Sequence, residues 1–514
     1  MTGVVDQQAH TVFVGGGGPG HAAPQTLLLR YANRHGLIAG ATGTGKTVTL
    51  QTLAESLSLA GVPVFLADVK GDLAGMARSG TTDAKPHESF AARAAQIGMS
   101  LDYQAFPVTF WDVWGEKGHP VRTTPAEMGP LLLSRLLDLS DAQEGVMNIA
   151  FRLADEQGLA LLDLKDLQAM LVWVGQNAAD LSLRYGNVST ASVGAIQRAL
   201  LVLENQGGNS LFGEPALELA DLIRQDDTGK GMVNILAADR LMHSPRLYAT
   251  FLLWLLSELF EQLPEVGDPD RPRVAFFFDE AHLLFDDAPK ALVEKIEQVA
   301  RLIRSKGVSL WFISQSPADI PEDVLSQLGN RIQHALRAFT PKDQKALRMA
   351  AGNYRANPGF DTAEAIQNVG TGEAVTSLLE EKGVPGIVQR TLIRPPFSRM
   401  GPISDSERAE VMAASPMAAK YARSIDRESA QELLARKTRE AARAEDEALF
   451  DMNRDEYRNA RRYQLRDQAR PTRALSSRSD SIVETFGKSL ARQLGTKSGQ
   501  AIVRGVLGSL LRGR

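Results

Sequence analysis

The chain has 514 residues, 44% hydrophobic and 23% charged, which is enough to bury a sizeable core. At roughly 150 residues per domain it predicts about three units. It contains no cysteine, which excludes a disulfide framework, a thiolate metal site and a cysteine nucleophile. The formal charge of −4 argues against a wholly basic nucleic-acid binder, but it averages two unlike parts. Residues 461–514 carry twelve Lys and Arg against three Asp and Glu, net +9, leaving −13 for the first 460.

The first thirty residues lack a basic patch followed by an apolar run, so no signal peptide is expected. The longest apolar stretches, 247–263 and 274–278, are broken by Glu258 or too short to span a bilayer. A soluble protein of a reducing, cytoplasmic compartment is the expectation. Gly15-Gly16-Gly17-Gly18-Pro19-Gly20 reads as a flexible turn; neither a lysine nor a helix follows it, as a phosphate loop would need.

From Tyr31 the pattern becomes β-α-β. The short apolar run Gly36-Leu37-Ile38-Ala39 predicts a buried strand, residues 47–59 a helix, and Val64-Phe65-Leu66-Ala67 a second strand. A third follows at 108–114, which implies parallel strands joined by right-handed crossovers. Residues 121–225 repeat leucine-rich stripes at helical spacing, predicting an all-helical insertion. Strand-like runs return at 233–236, 274–278, 308–313, 332–336 and 387–392, with an apolar helix at 247–263. Pro395-Pro396 closes the α/β part. Residues 404–470 read as long exposed helices and 471–479 as a linker. Two short amphipathic stripes end the chain, Ile482, Phe486, Leu490 and Leu494, then Val503, Val506, Leu507, Leu510 and Leu511.

Gly40-Ala41-Thr42-Gly43-Thr44-Gly45-Lys46-Thr47 matches G-x-x-x-x-G-K-[ST] at every position, between a strand and a helix that continues through Val48. The glycines let successive backbone N–H groups face a phosphate, and the helix N-terminus adds positive potential. Lys46 is the candidate for the β- and γ-phosphates, and the Thr47 hydroxyl for one Mg²⁺ position. The strand 274–278 ends in Asp279-Glu280. Asp279 suits the Mg²⁺ shell, and Glu280 suits polarising an attacking water, which implies hydrolysis of ATP rather than storage. The bland alternative is an acidic pair capping a helix.

Ala281-His282 completes the letters D-E-A-H, but this box lies 233 residues after Lys46. No Ser-Ala-Thr tripeptide and no Q-x-x-G-R-x-G-R segment follow, so a DEAH-box helicase is excluded. His282 reads as a packed or gating residue. Gln315, which follows the strand 308–313, is a candidate to contact both γ-phosphate and water, with a plain turn residue as the alternative.

Asn33 to Thr47 and Asp68-Val69-Lys70-Gly71-Asp72-Leu73 resemble the HerA/FtsK superfamily of P-loop ATPases and, more specifically, a bacterial HerA-like family. Phe110-Trp111-Asp112-Val113-Trp114-Gly115, Met128-Gly129-Pro130, the helical insertion and Phe278-Asp279-Glu280-Ala281-His282 fit the same group, over roughly residues 30–395. The resemblance implies an α/β, RecA-like parallel sheet in two pieces (31–120 and 226–395) with the all-helical insertion 121–225. A short extension (1–30) and a charged helical tail (396–514) flank it. It also implies a homo-oligomeric ring of six with ATP at subunit boundaries, where a neighbour's arginine stabilises transition-state charge. Arg301, Arg304 and Arg331 are the candidates, each equally readable as a surface ion-pair residue. Only about thirty residues precede the core, so the N-terminal barrel that helps hold the ring in HerA is expected to be missing, and with it that route to assembly.

Two classes of function stay open. One is an ATP-driven motor on DNA, with Lys70 facing a central channel or only solvating a turn, the basic C-terminal segment supplying phosphate contacts or docking as a solvated arm on its own ring or on acidic surfaces, and a nuclease as a protein partner. The other is an ATPase that remodels or assembles proteins without touching nucleic acid, which the −13 body favours.

Overall fold

Apolar runs with no polar alternation cannot leave a face to water, so they belong in the middle of a covered parallel sheet. A computed structural model describes residues 3–285 and 290–467. In chain order its strands are β1 (Val5–Asp6), β2 (Thr11–Gly17), β3 (Ala23–Leu28), β4 (Gly36–Ala39), β5 (Val64–Asp68), β6 (Val108–Asp112) and β7 (His119–Pro120). There follow β8 (Val233–Ala237), β9 (Val274–Phe278), β10 (Val308–Ser314), β11 (Asn330–Gln333), β12 (Glu373–Ser377) and β13 (Gln389–Ile393). Among the described residues they form one sheet, in the order β1-β2-β13-β12-β11-β4-β10-β9-β5-β8-β6-β7, with β3 on β2. From β11 to β7 every pairing is parallel, and from β12 to β1 every pairing is antiparallel. The fold is α/β, and its parallel half holds the strands expected from the apolar runs except 387–392, which is β13 in the antiparallel half.

Two parts differ from that expectation. The glycine-rich stretch is a strand up to Gly17, not a flexible turn. It pairs with β13 through Gly17–Thr391, Gly16–Leu392 and Gly15–Ile393. A Cβ on Gly15 would lie 2.2 Å from the Leu392 carbonyl oxygen, and one on Gly16 would lie 2.0 Å from that of His21. The glycines permit this close backbone approach, and their lack of side chains removes the alternation that marks a strand. Residues 396–430 also differ, because they belong to the same compact unit as the sheet, Met1–Ala430. Short helices Asp405–Ala414 and Met417–Tyr421 lie there, and the Tyr421 ring stands edge-on to Trp111 at 5.3 Å.

Helices from Pro125–Leu136 to Leu219–Leu222 occupy the stretch between β7 and β8. Beyond Ala430 a second unit holds most of one helix, Ala430–Asp467. The linker 471–479, both amphipathic stripes and nearly all of the basic C-terminal segment lie outside the described residues.

The helix after β4, α1 (Lys46–Leu59), is buried along almost its whole length. Its polar residues therefore need internal partners. Glu55 and Arg394 are both fully buried and pair at 3.0 Å. Glu55 also accepts from the N–H groups of Phe397 and Ser398 and from the Ser398 hydroxyl. Arg394 donates to the Thr52 carbonyl and the Ser56 hydroxyl. This network ties the end of β13 to the helix that carries the phosphate loop. Glu55→Ala leaves a buried guanidinium without its counter-charge and is expected to cost about 3–5 kcal/mol of stability, read as a fall in the urea midpoint.

Candidate nucleotide site

Parallel strands gather their carboxyl ends on one edge of the sheet, and the candidate residues lie along that edge. β4 stops at Ala39, and the chain turns through Gly40, Gly43 and Gly45, all at positive φ (152°, 78° and 112°), before α1 starts at Lys46. A Cβ at Gly40 would meet that of His334 at 2.5 Å, so only glycine lets the loop leave the strand here. The Lys46 ammonium donates to the carbonyls of Gly40 (2.6 Å) and Ala41 (3.1 Å), and the Thr44 hydroxyl donates to Ala41 O at 2.7 Å. Burial pulls the Lys46 pKa below its ordinary value, against the opposing pull of the Glu280 carboxylate. An anion in the loop would supply the charge that burial has removed water from. Thr42 is exposed, and Thr47 and Val48 are half-buried in the first turn of α1.

Three braces hold the loop. Ala41 N–H donates to Ala335 O at 2.8 Å, Gly372 N–H donates to Thr44 O at 3.1 Å, and Gly40 N–H donates to Ser314 O at 3.2 Å. His334 joins them, its ring bonded to the Thr49 hydroxyl (2.8 Å) and the Glu373 carbonyl (2.9 Å). Burial pushes the His334 pKa down to about 4, so the ring is a neutral strut near pH 7. A lone histidine 288 residues after Lys46 carries no local signal of this role.

β10 lies between β4 and β9, so Gln315 and Asp279-Glu280 emerge beside the loop. Gln315 is exposed, whereas Asp279 and Glu280 are buried. The Asp279 Oδ2 atom is buried and has no hydrogen-bond partner. Burial, reinforced by the Glu280 charge, pushes the Asp279 carboxyl up to about 6. An orphaned, desolvated carboxylate oxygen fits a place beside a cation's water shell, as the Mg²⁺ assignment requires. Among the described residues no group of three or more His, Asp or Glu forms a metal site by itself. Thr47 and Asp279 would therefore share a cation with water and the nucleotide's own phosphates.

Glu280 precedes the short helix Ala281–Leu284 as its N-cap, yet its side chain makes no capping hydrogen bond, and its backbone stands in the left-handed region (φ 48°, ψ 50°), a strain of roughly 1–3 kcal/mol. Its Oε1 accepts from Lys70 Nζ at 2.6 Å. Lys70 therefore lies on the candidate base. Burial works against ionising Glu280, yet the hydrogen bond and charge of Lys70 outweigh it, and the pKa falls below the usual carboxylate value. The Lys70 pKa rises by the same pairing, against its own desolvation. His282 Nδ1 lies 3.5 Å from Glu280 Oε2.

The three arginines lie at the other edge of the sheet, near the amino ends of β10 and β11. Arg301 is exposed. Arg304 pairs with Asp268 at 2.9 Å. Arg331 donates to the carbonyls of Leu325, Leu328 and Asn353. None of them reaches the phosphate loop of its own chain.

Residues 18–514 match the family described as Helicase HerA-like C-terminal. The chain belongs to this family. It is thereby a member of the HerA/FtsK superfamily of P-loop ATPases, as its motifs implied. A HerA-like segment of 98 residues is 33% identical to the DNA double-strand break repair helicase HerA of Sulfolobus acidocaldarius, covering 19% of each chain. Another of 124 residues is 29% identical to a probable helicase of Methanocaldococcus jannaschii, covering 23% of this chain and 22% of that one. The matched parts thus span about a fifth of these relatives. Among solved structures, the bacterial conjugative coupling protein TrwB superposes with a TM-score of 0.49 at 15% identity, over 77% of this chain and 91% of that one. Among the described residues no helix is long and apolar enough to cross a membrane.

Proposed function

We propose that the chain hydrolyses ATP as a HerA-like motor, working in a homo-oligomeric ring that moves along DNA. The observation that carries the hydrolytic part is the approach of a buried, strained Glu280 to a complete phosphate loop, one strand apart. Lys46 would exchange its two loop carbonyls for the β- and γ-phosphates, and the loop amides would hold the same oxygens. Thr47 and Asp279 would hold Mg²⁺, whose chemistry is to neutralise phosphate charge. Glu280 would take a proton from water as its oxygen attacks the γ-phosphorus and the bond to the β-phosphate oxygen breaks, giving ADP and phosphate. Gln315, just past the end of β10, would sense the γ-phosphate.

Arg301, Arg304 and Arg331 face away from this site, which suits a role only toward a neighbouring copy. Arg304 is held by Asp268 and Arg331 by carbonyls, so Arg301 is the candidate that would have to break no bond that this structure shows. Support for DNA as the track comes from family membership and from the names of the relatives. The second reading, a remodeller of proteins, rests on the acidic body, net −13 over 460 residues.

Phosphate release measured at low salt with and without duplex and single-stranded DNA separates them. Stimulation by DNA, falling as salt rises, is the expected result. An unchanged rate together with no DNA binding would transfer the proposal to protein substrates. Native mass with ATP tests the ring, for which six copies are expected.

A further inference from the structure

The loop after β5 carries a lysine whose placement the phosphate chemistry above does not use. β5 and β9 are parallel neighbours with Ala67 opposite Phe278, so the chain leaves both strands side by side, at Asp68 and Asp279. Asp68 is buried and builds the loop that follows it. One carboxylate oxygen accepts from Gly71 N–H at 2.8 Å, and the other accepts from Leu73 N–H at 3.1 Å. Gly71, at φ 74°, makes the turn between them. This fixed loop sets Lys70 against Glu280, with Nζ 2.6 Å from Oε1.

The pair is lopsided. The Glu280 side chain is 9% exposed and that of Lys70 is 47% exposed. Glu280 Oε2 is buried and makes no hydrogen bond; His282 Nδ1, also without one, stands 3.5 Å from it. An exposed ion pair adds little to stability, and a buried carboxylate with one idle oxygen is a cost to the fold. The arrangement makes sense when one oxygen is held and the other is kept for a reactant.

We propose that Lys70 is a positioning residue for Glu280: its ammonium fixes Oε1 and so presents Oε2 as the oxygen that accepts from the attacking water. The inference rests on the hydrolytic reading of the site. The lysine acts through the carboxylate and carries no proton in the reaction. Asp68 stands behind it, since its two accepted bonds shape the loop that aims Lys70.

Steady-state phosphate release and equilibrium binding of a fluorescent ADP analogue test the assignment in the full chain. Lys70→Met is expected to lower kcat about 10–100-fold, the range for lost orienting partners, with the analogue's Kd within about twofold. Lys70→Arg keeps a donor on Oε1 and is expected to recover most of the rate. In a double-mutant cycle, adding Lys70→Met to Glu280→Gln should lower the rate no further, because both changes act on one group. A purely structural role for Lys70 would instead give losses that multiply. Multiplying losses, an unchanged or raised kcat in Lys70→Met, or a loss confined to ADP affinity would each overturn the assignment. If Glu280→Gln abolishes phosphate release and Lys70→Met leaves kcat unchanged, only the role of Lys70 falls. If the unmodified chain and Glu280→Gln release phosphate equally, the hydrolytic reading itself fails.

Discussion

Replacing Glu280 by glutamine is expected to lower ATP turnover by about 10²–10⁴-fold, the range for a general base, while nucleotide affinity stays within about twofold. The amide has the size of the carboxylate, so the buried site keeps its packing and the change is chemical. Oε1 is still able to accept from Lys70, but the group no longer takes a proton from water. Binding is untouched because Glu280 lies at the end of β9, with β10 between it and the strand that leads into the phosphate loop. Single-turnover phosphate release, with a fluorescent ATP analogue for affinity, separates the two quantities. Turnover within a few-fold of the unmodified chain would remove Glu280 from its role and leave its left-handed backbone without a functional reason.

The parallel half of the sheet was legible because its strands carry the simplest signal. Gly36-Leu37-Ile38-Ala39, Val64–Asp68, Val274–Phe278 and Val308–Ser314 are apolar runs bounded by turns, and each becomes a buried central strand. The phosphate loop was legible for a related reason, since its chemistry needs eight consecutive residues. Of the antiparallel half, only β13 (Gln389–Ile393) showed in the same way, as the run 387–392. Gly15, Gly16 and Gly17 have no side chains to alternate, and the backbones of Leu392 and His21 come too close to Gly15 and Gly16 for a Cβ. β12 (Glu373–Ser377) is buried through mixed residues that show no period.

Contacts that cross the fold were illegible in principle. Lys70 and Glu280 are 210 residues apart, Glu55 and Arg394 are 339 apart, and His334 meets Thr49 over 285. Nothing local marks either partner of such a pair. The D-V-K-G-D segment stands out only through its likeness to a family, and nothing within it points to Glu280. The arginines show the converse problem. Arg301 and Arg304 lie three residues apart on similar sequence, yet one is exposed and the other is held by Asp268.

Lys46→Ala is expected to remove both binding and turnover, and so to complement the glutamine variant. Hydrogen bonds to charged groups contribute about 1.5–3 kcal/mol each. Two of them, to the β- and γ-phosphates, come to roughly 3–6 kcal/mol, or on the order of 10²–10⁴ in Kd. The net effect sits toward the lower end, because Lys46 already bonds to Gly40 O and Ala41 O and must give those bonds up. Burial works the other way: an ammonium already stripped of water loses little hydration when an anion arrives, so its attraction is screened weakly. The fold should survive, since Ala41, Thr44 and Gly40 keep their backbone braces to Ala335, Gly372 and Ser314. Titration with a fluorescent nucleotide, alongside a thermal melt, reads affinity and folding together. An alanine variant that melts normally and binds as tightly as the unmodified chain would mean that the loop does not cradle phosphate, whatever its sequence. A variant that binds weakly and melts normally, beside a Glu280→Gln chain that binds well and does not turn over, would divide the site into a binding half on α1 and a chemical half on β9.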